Sequence, residues 1–166
     1  PGMRVAADLT ELAEDPARMN QLVEYEIALD AMTAEATTTA LCGFDRRRTG
    51  ARWTQVAALH GVRHGDGTDL PLSVSPGDSA VSLSGEIDVA NVDDLRALLR
   101  AVQEVSSGDL VVDMSDLDFI DVAGTRVLVS FDRAMAAAGR GLRFRGTRRT
   151  AGRLLEVFGL DPTGRR

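Results

Sequence analysis

Residues 109–124, DLVVDMSDLDFIDVAG, place a short, nearly continuous apolar run ahead of a polar stretch and then Asp121-Val122-Ala123-Gly124. An uninterrupted run such as DLVVDM has no alternation, which is the pattern of a strand covered on both faces in the middle of a sheet. A loop is expected after it. A helix then follows, because Val127, Leu128, Phe131 and Met135 fall on one face and Gly139 offers a C-terminal cap.

The flanking sequence gives this strand its neighbours. Residues 70–74 and 80–85 are alternating apolar runs around Ser75-Pro76-Gly77-Asp78, in which proline presets φ and glycine accepts a positive φ, so a hairpin is expected. Asn91 is expected to cap a helix with Asp93 and Asp94 in its first turn and Val92, Leu95, Leu99 and Val102 on its buried face. That helix ends near Ser106-Ser107-Gly108. Downstream, residues 142–145 read as a strand, and Thr147 is expected to cap a last helix carrying Leu154, Leu155 and Phe158. The order is strand, strand, helix, strand, helix, strand, helix. Such alternation predicts an α/β fold, a mostly parallel sheet with helices packed on it.

The N-terminal part reads differently. Residues 3–9 form an apolar strand, a polar stretch closes at Asp15-Pro16, and Met19, Leu22, Tyr25, Leu29 and Met32 then make one helical stripe with Val23 and Ile27 alongside. A β-branched run at 37–42 reads as a strand, and Trp53, Val56 and His60 mark a short helix. The result is a small strand-helix-strand-helix segment. The glycine-rich, aperiodic stretch 61–69 reads as a linker, which divides the chain into residues 1–65 and 66–166.

Composition narrows the function. At 44% hydrophobic and 27% charged residues over 166 positions, the chain can bury a core. A net charge of -6 with pI near 4.9 argues against nucleic acid as a direct partner, and Arg46-Arg47-Arg48 reads as a solvated run. All 19 basic residues are arginine, which excludes a Walker lysine, Schiff-base chemistry and the lysine of a receiver domain. No apolar stretch approaches the ~18 residues of a membrane span, and a single cysteine, Cys42, fits a reducing compartment, so a cytoplasmic chain is expected. His60 and His64 are the only histidines, and neither a Gly-x-Ser-x-Gly elbow nor a His-Glu-x-x-His motif occurs. No enzyme and no cofactor is expected. Cys42, Asp45 and His60 have no zinc-motif spacing; they read as a buried strand cysteine and a surface histidine, and no metal is expected. Trp53 and Tyr25 read as core residues.

The stretches VSLSGEIDVANVDDLRALL (81–99), LVVDMSDLDFIDVAGTRVLV (110–129), GLRFRG (141–146) and LLEVFGL (154–160) together resemble STAS domains of the anti-sigma-factor antagonist kind. The resemblance covers about 90 residues and every element. In that family the loop at 121–124 typically reads Asp-Ser-Ser-Gly. Asp121 and Gly124 match; both serines are missing, and the second, which a partner kinase phosphorylates, is Ala123 here. The resemblance implies a partner-binding surface of Asp88, Asn91, Asp121, Val122, Ala123, Gly124 and Thr125, with an anti-sigma factor of the histidine-kinase-like ATPase type as partner. It implies no phosphorylation at position 123. Asp121 also reads as a helix N-cap, and Thr125 as a first-turn hydroxyl that is solvated or bonded back to the chain.

The first 65 residues resemble the second half of a MEDS sensory domain, through GMRVAADLTEL (2–12), VEYEIALDAM (23–32), ALCGFDRRR (40–48) and His60. That resemblance implies a relation to RecA-like folds and a chain that is part of a longer protein. An unmatched apolar face of this segment would need cover from the STAS-like domain, a second chain or the missing half, and a homodimer is the expectation. Two functions therefore stand side by side: a protein-binding regulator in a sigma-factor partner switch, and a small-molecule or nucleotide sensor whose STAS surface reports ligand state.

Overall fold

A strand with neighbours on both sides satisfies both edges of its backbone, and the DLVVDM run occupies that place. The structure, a computed structural model, describes residues 2–35, 38–60, 71–77 and 79–163, without the side chains of 30, 34 and 35. Its elements are β1 (Met3–Asp8), α1 (Thr10–Glu14), α2 (Met19–Glu35), β2 (Thr38–Gly43), α3 (Arg46–Thr49), α4 (Trp53–Ala58), β3 (Leu72–Pro76), β4 (Ala80–Ile87), α5 (Val92–Val105), β5 (Leu110–Ile120), α6 (Val122–Ala137), β6 (Leu142–Arg145) and α7 (Arg149–Val157). One sheet has the order β3-β4-β5-β6, with β4, β5 and β6 parallel and β3 antiparallel at the edge. A separate pair, β1 and β2, is parallel. The alternation read from the sequence is thus the architecture observed.

Several boundaries differ. β5 runs eleven residues to Ile120, so the loop expected after Met114 is strand. Its pairing with β4 continues through two register shifts, at Ser82/Ser84 and Gly85/Glu86. Those shifts let Ser115, Asp116, Asp118 and Phe119 face outward while Leu117 and Ile120 return to the core. Gly85 has φ +82, and a Cβ there would lie 2.0 Å from the Pro71 carbonyl oxygen, which accepts from the Glu86 N–H. Only glycine fits that bulge. The polar stretch ahead of Asp15-Pro16 contains α1, whose Thr10 is buried and accepts from the Asp45 N–H through its hydroxyl at 2.9 Å. The hairpin strand β3 reaches Pro76, which lies on the sheet edge where its missing N–H is tolerated, and the turn begins at Gly77. Residues 61–70, including the expected linker, lie outside the described residues.

Two expected caps do other work. Asn91 stands at the N-cap of α5 without a side-chain cap bond. The residue before α7 is Arg148, and the Thr147 hydroxyl instead donates to the Pro162 carbonyl at 3.1 Å, tying down the chain after the helix.

α5 buries Leu98 and Ala101 besides the expected Val92, Leu95, Leu99 and Val102, because it is covered on two sides, by the sheet and by α2. Leu22 and Val23 of α2 are fully buried, Asn20 donates to Glu104 of α5 at 2.6 Å, and α4 packs on α5 and β3. One hydrophobic core therefore runs from the N-terminal segment into the four-stranded sheet. Burial fades along α2: Tyr25, Ile27 and Leu29 are half-buried, and Met32 is exposed, as are Met3 and Leu41 of the β1–β2 pair.

Candidate partner-binding site

The parallel register aligns Ile87 with Ile120, so β4 and β5 end side by side and release their loops at the same edge of the sheet. The Asp121 N–H donates to the Ile87 carbonyl at 3.0 Å and locks the two loop starts together. Asp121 then turns into α6 with extended backbone (φ -92°, ψ -176°), and its Oδ1 accepts the Gly124 N–H at 2.8 Å, the side-chain cap expected of it.

Gly124 is buried against both strand ends. A Cβ there would stand 2.4 Å from Ile87 Cγ2 and 2.9 Å from Ile120 Cγ1, so the helix start can approach the sheet this closely only without a side chain. Thr125 is fully buried, and its hydroxyl donates to the Asp121 carbonyl at 2.8 Å. Of the two states read for it, the back-bonded one is found. Ala123 is half-buried against the core, and Val122 beside it is 45% exposed.

The neighbouring loop is braced from within. Asp88 Oδ1 accepts the Ala90 N–H at 2.8 Å. Asn91 is buried, accepts the Asp88 N–H at 3.1 Å and donates to the Glu86 carbonyl at 2.8 Å. Its amide closes the loop and frees Val89 to project, 76% exposed. Phe119, paired in register with Glu86, is 51% exposed on β5. Val89 and Phe119 were not singled out from the sequence. Phe119 could not have been, since the two register shifts decide which face it takes.

The family model described as "Mlab, STAS domain" matches residues 72–162, from the start of β3 to beyond α7. The chain belongs to the STAS domain family. The model described as "MEDS: MEthanogen/methylotroph, DcmR Sensory domain" matches residues 1–61 ahead of the STAS domain. No curated protein matches the chain. STAS domains generally bind partner proteins, and no helix among the described residues is long and apolar enough to cross a membrane.

Outside the STAS domain, Cys42 and His60 come close together with Glu26, while Asp45 stands apart from them. Asp45 caps α3, accepting the Arg47 N–H at 2.9 Å. His60 is not a surface residue: its side chain is 19% exposed and its Nε2 lies 3.3 Å from Glu26 Oε1. The Phe44 ring meets the imidazole edge-on at 5.2 Å between centroids. Cys42 is half-buried. Burial pushes its thiol pKa up, Glu26 adds to this, and a hydrogen bond from the Tyr25 hydroxyl works against it. Tyr25 is thereby part of a polar cluster. Trp53 is half-buried under the Arg46 guanidinium, 4.1 Å from the ring centroid.

Proposed function

We propose that this chain is an anti-sigma-factor antagonist-like regulator, residues 1–65 forming a sensory segment and 66–166 the STAS domain that binds an anti-sigma factor of the histidine-kinase-like ATPase type. The observation that carries the reading is the apolar trio Val89, Phe119 and Val122, exposed on the loop after β4, the end of β5 and the first residue of α6, where internal hydrogen bonds hold the backbone. Exposed apolar side chains on a preorganised frame, with Glu86, Asp88, Asp121 and an Asp118 paired to Arg148 at 2.7 Å beside them in the chain, have the make-up of a protein-docking patch with polar surroundings. Asp121, Gly124, Thr125 and Asn91 hold the frame; Asp88, Val122 and Ala123 lie at its surface.

The usual off-switch is missing. Ala123 has no hydroxyl, and the Thr125 hydroxyl is buried and engaged, which makes it a poor substitute. Binding on this reading is constitutive at the loop and is set by the amount of protein or by the N-terminal segment.

The test is capture of such an ATPase by the full chain, compared with Val89→Asp and Asp121→Arg. Val89→Asp leaves every loop hydrogen bond in place, so loss of capture by that variant reports the surface and not the fold. Capture of the ATPase equally by wild type and both variants would remove the reading.

A further inference from the structure

Glu26 of α2, Cys42 of β2 and His60 just past α4 come from three separate elements, yet one ligand atom of each lies within 4.8 Å of the other two. The Nδ1 of His60 is 3.0 Å from the Val56 carbonyl oxygen. A carbonyl only accepts, so Nδ1 carries the ring proton, and in the neutral imidazole the lone pair is on Nε2. That atom faces Glu26 Oε1 at 3.3 Å. Oε1 is buried and finds no hydrogen-bond partner among the described residues, on a residue that is only 9% exposed. A buried carboxylate oxygen facing an imidazole lone pair is unfavourable unless something positive sits between them.

We propose that Glu26, Cys42 and His60 bind a divalent transition-metal ion, Zn2+ being the one their donor set fits. Nitrogen and thiolate sulfur donors select zinc over magnesium or calcium, and a carboxylate oxygen completes a mixed set known for zinc. Tetrahedral bonds of about 2.0–2.3 Å put ligand atoms roughly 3.3–3.8 Å apart, so the trio needs only a small contraction. Glu26 and a Cys42 thiolate bring two negative charges that neutralise the ion, which suits a half-buried place. The outer groups are also present: the Val56 carbonyl fixes the imidazole tautomer, and the Tyr25 hydroxyl favours the Cys42 thiolate. Three ligands from the described residues leave one tetrahedral position for water or a small exogenous donor. The cysteine spacing hides this site because its members lie 16 and 18 residues apart, far beyond any finger motif.

The experiment uses the full chain, stripped with a chelator and titrated with Co2+ and then Zn2+. One equivalent of Co2+ should raise thiolate-to-cobalt charge-transfer absorption, and Zn2+ should abolish it. Zn2+ should also shield Cys42, the chain's single thiol, from alkylation. Cys42→Ser should lose the charge-transfer band, and the near-isosteric Glu26→Gln should weaken Zn2+ binding at least about tenfold, since even second-shell changes cost about 10–100-fold. Circular dichroism identifies variants that keep the fold. A wild type that gives no band and no thiol protection would overturn the site. Equal Zn2+ affinity in a folded Cys42→Ser, His60→Asn variant would overturn it as well.

Discussion

The Asp121 N–H and the Ile87 carbonyl, 3.0 Å apart, join the starts of the two loops that carry the proposed docking patch. Gly124 stands directly above that junction, where a Cβ would strike the Ile87 and Ile120 side chains. Gly124→Ala should therefore overpack the site and destabilise the chain by about 1–3 kcal/mol in urea unfolding, although alanine is the better helix former. A neutral or stabilising effect would mean that α6 can lift from the sheet freely.

Asp121 caps α6 through a single accepting oxygen. Asn keeps such an oxygen and Ala does not, so Asp121→Ala should lose about 0.5–2 kcal/mol while Asp121→Asn loses much less. Comparing the two in thermal melts separates the cap from any role of the charge at the partner surface.

Leu22 of α2 is fully buried in a core shared with α5. Leu22→Ala should cost about 2–5 kcal/mol and lower the stability of the whole chain in one transition. Two separate transitions, with only the first moved, would show that the N-terminal segment unfolds independently of the STAS domain.

The elements that periodicity could fix were those whose burial is decided locally. Val127, Leu128, Phe131 and Met135 of α6 all lie in the core, as their spacing required. The sequence pattern ends β5 at Met114 because Ser115, Asp116 and Asp118 have loop chemistry, and only pairing with β4 across two register shifts keeps them in a strand. Asn91 and Thr147 have the chemistry of caps, but their side chains bond instead to the backbone carbonyls of Glu86 and Pro162. Glu26 sits four residues after Leu22 on the apolar stripe, a placement that signals a buried carboxylate; its meeting with His60 depends on how α4 packs.

Acid should act through Asp113. Hydrogen bonds from Ser115, and then Arg145 at 2.6 Å, hold its carboxyl below the usual range. A depressed folded pKa contributes stability that is present above the unfolded value and lost as pH falls through the folded one. The stability gap between wild type and Asp113→Asn should thus be full near neutrality and shrink below about pH 4. A gap that widens on acidification would contradict the assignment.

Position 123 offers the sharpest test of the missing switch. Ala123 is the second residue of α6, half-buried beside the exposed Val122 and one residue before the Gly124 N–H that Asp121 accepts. A phosphate there would add about -1.5 to -2 charges two residues from the Asp121 carboxylate, making this loop strongly repulsive for an acidic partner. With the captured kinase and ATP, intact mass should show one phosphate on Ala123→Ser and none on wild type, and the phosphorylated variant should dissociate. Phosphate on wild-type Thr125 would instead mean that the first turn of α6 opens, breaking the hydroxyl's bond to the Asp121 carbonyl, and that the switch has moved by two residues rather than been lost.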